Sequence, residues 1–218
     1  MRKILFLLFS TLATLLVLSC SADSGMPCVT CPSQPPEYKG GSCNISDYGT
    51  VDIGEQTWMA KNWGCYVPGS KCYGNDSDNC KEYGRLYDWV TAKVIKVCPT
   101  GWHLPSKDEW KVLIDFVENE KGCTDCAGKL LKATGGWNDN LQEQSGNGTD
   151  EHNFTALPGG GDYFLKGNYG IWWSADEDTL ITDNAYSLNM SSFYDKSLDE
   201  SNNKSSSLSV RCLKDSQD

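Results

Sequence analysis

Eleven cysteines in 218 residues constrain this chain more than any other feature. They either cross-link it or bind metal, and the compartment decides which. The N-terminus points to export. Met1-Arg2-Lys3 is a basic head, and Ile4 to Leu18 is an apolar run broken only by Ser10, Thr11 and Thr14. That run is shorter than the ~20 residues of a membrane span and has the charge-then-apolar order of a secretory signal. It ends Val17-Leu18-Ser19-Cys20, an aliphatic residue, a spacer, a small residue and a cysteine. This is the order of a bacterial lipobox, with Leu18 bulkier than the usual spacer. Cys20 offers a thiol for diacylglyceryl transfer, and cleavage before it frees an amine for a further acyl chain. Several chains matter, because one of ~14 carbons binds a membrane only marginally. An ordinary signal cut near Ser21-Ala22-Asp23 is the competing reading. Lipidation of Cys20 is the expectation. It would put the chain in the bacterial cell envelope, at the outer membrane or cell surface.

Loss of residues 1–19 removes Arg2 and Lys3, leaving 17 basic against 29 acidic residues, a net charge of −12. So acidic a surface argues against nucleic acid, and against attraction to anionic lipid, as general partners. Ten cysteines remain, an even number, which in an exported chain reads as disulfides. Paired Cys-x-x-Cys units can bind zinc, but Cys28/Cys31 and Cys123/Cys126 lie far apart.

Residues 20–47 read as a lipidated cysteine followed by a Ser- and Pro-rich tether, with Pro27, Pro32, Pro35 and Pro36. The globular part is expected over 48–214, with a tail at 215–218. Thr50-Val51-Asp52-Ile53 alternates, Gly54-Glu55 can turn and Gln56-Thr57-Trp58-Met59 can return, a hairpin signal. Tyr87 to Val97 reads as a helix. A second helix begins at Ser106, which with Glu109 spells a capping box. Trp110, Leu113, Ile114 and Val117 then make one apolar stripe, and Gly122 stops it. Lys129 to Lys132 is a further helical fragment. Strands are expected around Phe154–Leu157, Gly170–Ser174, Tyr186–Met190 and Leu208–Leu213. Helices early and antiparallel strands late is an α+β order.

Several strings stand in sequence. They are Tyr48-Gly-Thr-Val-Asp-Ile-Gly-Glu-Gln-Thr-Trp-Met-Ala-Lys-Asn62, Tyr83-Gly-Arg-Leu-Tyr-Asp-Trp89 and Cys98-Pro-Thr-Gly-Trp-His-Leu-Pro-Ser-Lys-Asp-Glu-Trp110. Gly136-Trp-Asn138, Phe154-Thr-Ala-Leu-Pro-Gly-Gly160, Trp172-Trp-Ser174 and Ser209-Val-Arg-Cys212 follow. Together they resemble the Fibrobacter succinogenes major paralogous domain, usually carried on secreted chains and lipoproteins. Trp89-Val-Thr-Ala92 with Leu104-Pro-Ser-Lys-Asp-Glu-Trp110 is similar, more distantly, to formylglycine-generating sulfatase-activating enzymes. That resemblance implies a C-type-lectin-like fold, a twisted antiparallel sheet with flanking helices and long disulfide-laced loops. It does not imply the enzymes' activity, which needs two neighbouring late cysteines. Here Cys212 stands alone after Cys126.

Ten cysteines permit many pairings. Membership of the family strings couples Cys98 with Cys212. Sequence proximity suggests Cys72–Cys80, Cys123–Cys126 and Cys28–Cys31, and elimination leaves Cys43–Cys65.

Among candidate sites, Trp137-Asn138-Asp139 spells a calcium-ligand tripeptide of sugar-binding lectins, but its companion Glu-Pro-Asn or Gln-Pro-Asp string is missing. Asp76 with Asp78 is another acidic pair without EF-hand spacing. No cofactor is expected, and a loosely held structural calcium at Asn138, Asp139, Asp76 or Asp78 is the alternative. His103 reads as a packed ring within its string and His152 as a loop residue. No nucleophile elbow or acid/base carboxylate pair stands out, so no catalytic residue is named. The aromatic surplus is the stronger signal. Trp172 and Trp173 are adjacent on an expected strand and must point to opposite faces, so one of them is expected to reach the surface. Tyr163, Tyr169 and Tyr194 join them as candidate ligand-binding residues in late loops. The expected function is a surface-anchored, non-catalytic extracellular binding module whose partner is a glycan or a surface protein. A structural display module and an enzyme of unrecognised class are the alternatives.

Overall fold

A computed structural model describes residues 43–161 and 165–216. Cys20, Cys28, Cys31 and Tyr163 lie outside the described residues. The chain runs through β1 (Thr50–Ile53), β2 (Gln56–Met59), α1 (Ser77–Tyr83), β3 (Leu86–Tyr87), α2 (Trp89–Lys93), β4 (Trp102–His103), α3 (Lys107–Lys121) and α4 (Ala127–Leu131). It continues through β5 (Tyr169–Glu177), β6 (Asn184–Ser191), β7 (Ser197–Asn203), β8 (Leu208–Ser209) and β9 (Leu213–Lys214). Among the described residues no helix is long and apolar enough to cross a membrane.

The early elements follow their local chemistry. β1 and β2 pair from Thr50↔Met59 to Ile53↔Gln56, and Gly54 makes the turn at φ +60°. α3 opens on the reciprocal capping box of Ser106 and Glu109 and closes at Gly122 in the left-handed region. Its buried face is Trp110, Leu113 and Val117.

The α+β order holds, but a single antiparallel sheet does not form. Strands β1-β2-β9-β4 make one sheet and β3-β8-β5-β6-β7 the other, with β5 and β8 parallel. The expected last strand, Leu208–Leu213, is divided between the two. Val210, Arg211 and Cys212 separate the two pieces, and there Arg211 turns inward to bond Met59 O, at the end of β2, and Phe154 O. The interruption still carries backbone bonds, from Met59 N–H to Cys212 O and from Trp63 N–H to Val210 O. Phe154–Leu157 is not a strand either. Thr155 has φ +52°, and its N–H and Oγ both donate to Asp150, which breaks the extended run. Only Ala156 bridges, to Lys132.

Two cores result. One joins α3 to Trp58, Phe154, Trp172 and Leu188. The other joins Met59, Trp63, Tyr87, Trp89, Trp173 and Val210. Four disulfides staple the described fold: Cys43–Cys65, Cys72–Cys80, Cys98–Cys212 and Cys123–Cys126. Cys43, assigned by sequence to the tether, therefore belongs to the folded part. So does Asp215, assigned to the tail, because it bonds His103.

Candidate functional site

The tryptophan pair is not a ligand platform. Trp172 and Trp173 are both fully buried, one in each core. The alternation expected of a strand is present, but both faces of β5 are covered, so neither ring reaches solvent. Each indole N–H is also committed at 2.8 Å, Trp172 to Asn62 Oδ1 and Trp173 to Tyr87 O.

The late-loop tyrosines behave differently. Tyr169 opens β5, and Phe193 and Tyr194 follow β6. Their rings form an edge-on series, Tyr169 to Phe193 at 5.9 Å and Phe193 to Tyr194 at 6.5 Å between centroids. Tyr194 is 56 % exposed. It and Phe193 line a shallow pocket of about 210 Å³ with Asn140, Leu141 and Gln142.

The wall opposite the rings is a loop closed on itself. Asn140 Oδ1 accepts the N–H groups of Gln142 and Gln144 at 2.9 and 3.0 Å, and Asn140 N–H donates to Gln144 O at 2.7 Å. Asn138 Nδ2 donates to Asn168 Oδ1, and Ser192 N–H to Asn168 O, so three segments are tied together. Gly146 permits their close approach, since a Cβ there would collide with Asn138 O and Ser192.

Beneath the rings lies Lys132, 1 % exposed. Its ammonium donates to Ser191 O at 2.9 Å and Tyr194 O at 3.2 Å and lies 5.2 Å from the centre of the Trp137 ring. Burial pulls its pKa down to about 8, partly offset by the charge of Asp195. The lysine thus pins the backbone that presents Tyr194. Periodicity placed Lys132 only in a helical fragment and gave no sign of this role. Phe193 and Leu141 were missed as well, although a lone leucine in the polar run Asn138-Asp-Asn-Leu-Gln-Glu-Gln144 was a usable signal.

The four calcium candidates are placed as follows. Asp76 caps α1 through Asp78 N–H, and Asp78 pairs with Lys81 at 2.7 Å. Asn138 bonds Asn168 as above, and Asp139 is exposed. Among the described residues no group of three or more His, Cys, Asp or Glu is arranged to hold a metal.

One titratable cluster is pronounced. His103 Nε2 lies 2.9 Å from Glu109 Oε1, and Nδ1 lies 2.6 Å from Asp215 Oδ1. Hydrogen bonding to Glu109, more than to Asp215, raises the imidazole pKa despite partial burial. Glu109 falls to about 2, through His103 first and the Ser106 N–H and hydroxyl next. The shifts are reciprocal, the mark of an ion pair that stabilises both charged forms. This clamp joins β4, the start of α3 and the residue after β9.

A family model described as the Fibrobacter succinogenes major domain matches residues 51–214. The chain belongs to that family. No curated protein and no solved structure matches it. The family match runs from β1 to β9 and so takes in both sheets. The strings that carried the resemblance lie largely in the two cores, around Arg211, Asn62, Phe154 and Trp172. The pocket residues 140–142 and 193–194 lie outside those strings.

Proposed function

We propose that this domain is a non-catalytic extracellular binding module, lipid-anchored through Cys20 at the cell envelope, and that the Tyr194 pocket takes a neutral glycan. The observation that carries this is an exposed tyrosine ring beside carboxamides, on a loop pinned from below by Lys132. Flat rings cover the C–H face of a sugar, and carboxamides exchange hydrogen bonds with its hydroxyls. A loop already fixed in place loses little entropy on binding. The pocket is shallow, which suits a segment of a longer chain and weak single-site affinity. The C-type-lectin-like assignment and the distant likeness to formylglycine-generating enzymes belong to this reading. They are supported by the α+β order, the disulfide-laced loops and the arginine-bearing final segment.

The test is a glycan array probed with the oxidised protein, followed by titration. Tyr194→Ala should lose about 1–2 kcal/mol of binding, roughly 5- to 30-fold, with unchanged circular dichroism. A chelator should leave binding intact. A folded, oxidised chain that binds no glycan would instead favour the display-module reading, which the burial of Trp172 and Trp173 already suits.

A further inference from the structure

Helix α2 buries Trp89, Thr91 and Ala92 and leads into the turn Lys93-Val94-Ile95-Lys96, every residue of which is exposed. Val90 is 50 % exposed, Val94 65 % and Ile95 55 %. Val90, Lys93 and Val94 stand at i, i+3 and i+4 and so share the outer face. Lys96, at φ +57°, turns the chain back, Val97 enters the core and Cys98 is bonded to Cys212. The aliphatic tip is therefore held firmly from behind. Around it, Lys93 and Lys96 line a half-open cavity of about 460 Å³ with Trp102, His103 and Asp215. The Asp215 carboxylate is engaged by His103, and the neighbouring Asp88 caps α2 through Thr91.

We propose that Val90 and the Lys93–Lys96 turn form a contact with the phospholipid surface that carries the acyl chains on Cys20. The proposal rests on the anchored reading of Cys20 and is independent of the glycan pocket. Three exposed aliphatics within six residues, with one lysine among them and one just after, have the chemistry of an interfacial segment. The aliphatics enter the acyl boundary while the lysine stems lie along it and lift their ammonium groups to the phosphates. Every phospholipid offers that phosphate, so no net attraction of the acidic domain to anionic lipid is required. Proximity favours the contact. Twenty-two residues separate Cys20 from Cys43, which can span at most ~80 Å. The Cys43–Cys65 bridge packs against the same core as Trp89, Ala92 and Val97. A tethered surface meets the bilayer at high effective concentration, so even a weak contact is occupied.

Hydrogen exchange of the lipidated full chain in phosphatidylcholine vesicles tests this, with the unlipidated chain from Ser21 in buffer as reference. Amides of residues 90–96 should exchange slower by about an order of magnitude on vesicles, the rest of the domain being unchanged. The double variant Val94→Asp, Ile95→Asp should abolish that protection while the chain still floats with the vesicles. Flotation without protection of 90–96 overturns the docking proposal and leaves the anchor standing. Failure to float overturns both. Concentration-dependent protection of the unlipidated chain in buffer would assign the tip to self-association and overturn the lipid contact.

Discussion

Two N–H groups of the Arg211 guanidinium converge on one oxygen, Oδ1 of Asn62, at 3.0 and 2.8 Å, across 149 residues of sequence. The same oxygen accepts the Trp172 indole N–H at 2.8 Å, and Asn62 Nδ2 donates to Tyr83 O at 2.9 Å. The other end of the guanidinium serves Met59 O at 3.1 Å and Phe154 O at 2.7 Å and lies over the Phe154 ring. The arginine is fully buried, and desolvation lowers its pKa to about 9 with only Asp150 opposing. It stays charged at neutral pH. What holds it is a ring of neutral oxygens, fixed because the first hairpin, the segment from Phe154 and the final segment meet there.

Arg211→Met should therefore destabilise the fold by on the order of 3 kcal/mol or more, because it strands several buried acceptors at ~1–3 kcal/mol each. Arg211→Lys should recover only part, since an ammonium cannot reproduce the planar fork. Urea unfolding midpoints measure both. A lysine variant as stable as the native chain would show that charge rather than geometry matters.

The His103 clamp predicts a pH window. His103 is raised in the folded chain above 6.5, so its contribution is full below that value and vanishes as pH rises through the raised pKa. Glu109 is held at about 2 against 4.5, so its contribution is present above 4.5 and is lost as pH falls towards 2. The two act together between about pH 4.5 and 6.5. His103 and Glu109 are about a third exposed and Asp215 more so, so the alkaline loss is expected to stay under about 1 kcal/mol. His103→Gln should flatten it, as read by thermal unfolding across neutral pH. A native chain whose stability is flat there would refute the clamp.

Legibility in the sequence followed the range of the interactions. The hairpin, the capping box of Ser106 and Glu109 and the stripe through Val117 are written in residues close together in sequence, and each forms as read. β7, with the sequence Ser-Leu-Asp-Glu-Ser-Asn-Asn, carries little strand signal because it is a polar edge strand completed by its pairing with β6. α1 carries little helical signal of its own, being a short helix of mostly polar residues capped by Asp76. At the candidate site, the tyrosines were visible as loop aromatics. Burial of Trp173 was not, because the cover on its face comes from α2 and β3, more than 80 residues earlier. Lys132 was invisible for the same reason, its acceptors lying about 60 residues later.

The Cys98–Cys212 bridge closes a separation of 114 residues and fastens the segment before β4 to the one between β8 and β9. A chain-entropy account values such a loop at about 4–5 kcal/mol, an upper figure since denatured chains retain structure. Cys98→Ala with Cys212→Ala should lower the guanidinium midpoint by more than removal of the short Cys72–Cys80 or Cys123–Cys126 loops. Non-reducing peptide mapping checks the pairing itself. Recovery of Cys98 with any other cysteine sinks the argument.

Lys132 links stability to the candidate site. Its pKa is about 8 when folded against 10.5 for an ordinary lysine, so between those values the unfolded chain binds the extra proton. Stability should therefore rise with pH across that interval, the reverse of the His103 effect. The informative quantity is the difference between the native chain and Lys132→Met, which fills the same space without a charge. The variant should lack the rise. It should also leave Ser191 O and Tyr194 O without their donor, freeing the backbone that presents the exposed ring. Glycan binding would then weaken by about as much as in Tyr194→Ala, although residue 132 is buried and touches no ligand. Urea midpoints from about pH 7.5 to 10, paired with binding titrations at neutral pH, read both consequences. A Lys132→Met chain that binds as tightly as the native one would show that the Tyr194 loop keeps its shape without the buried ammonium.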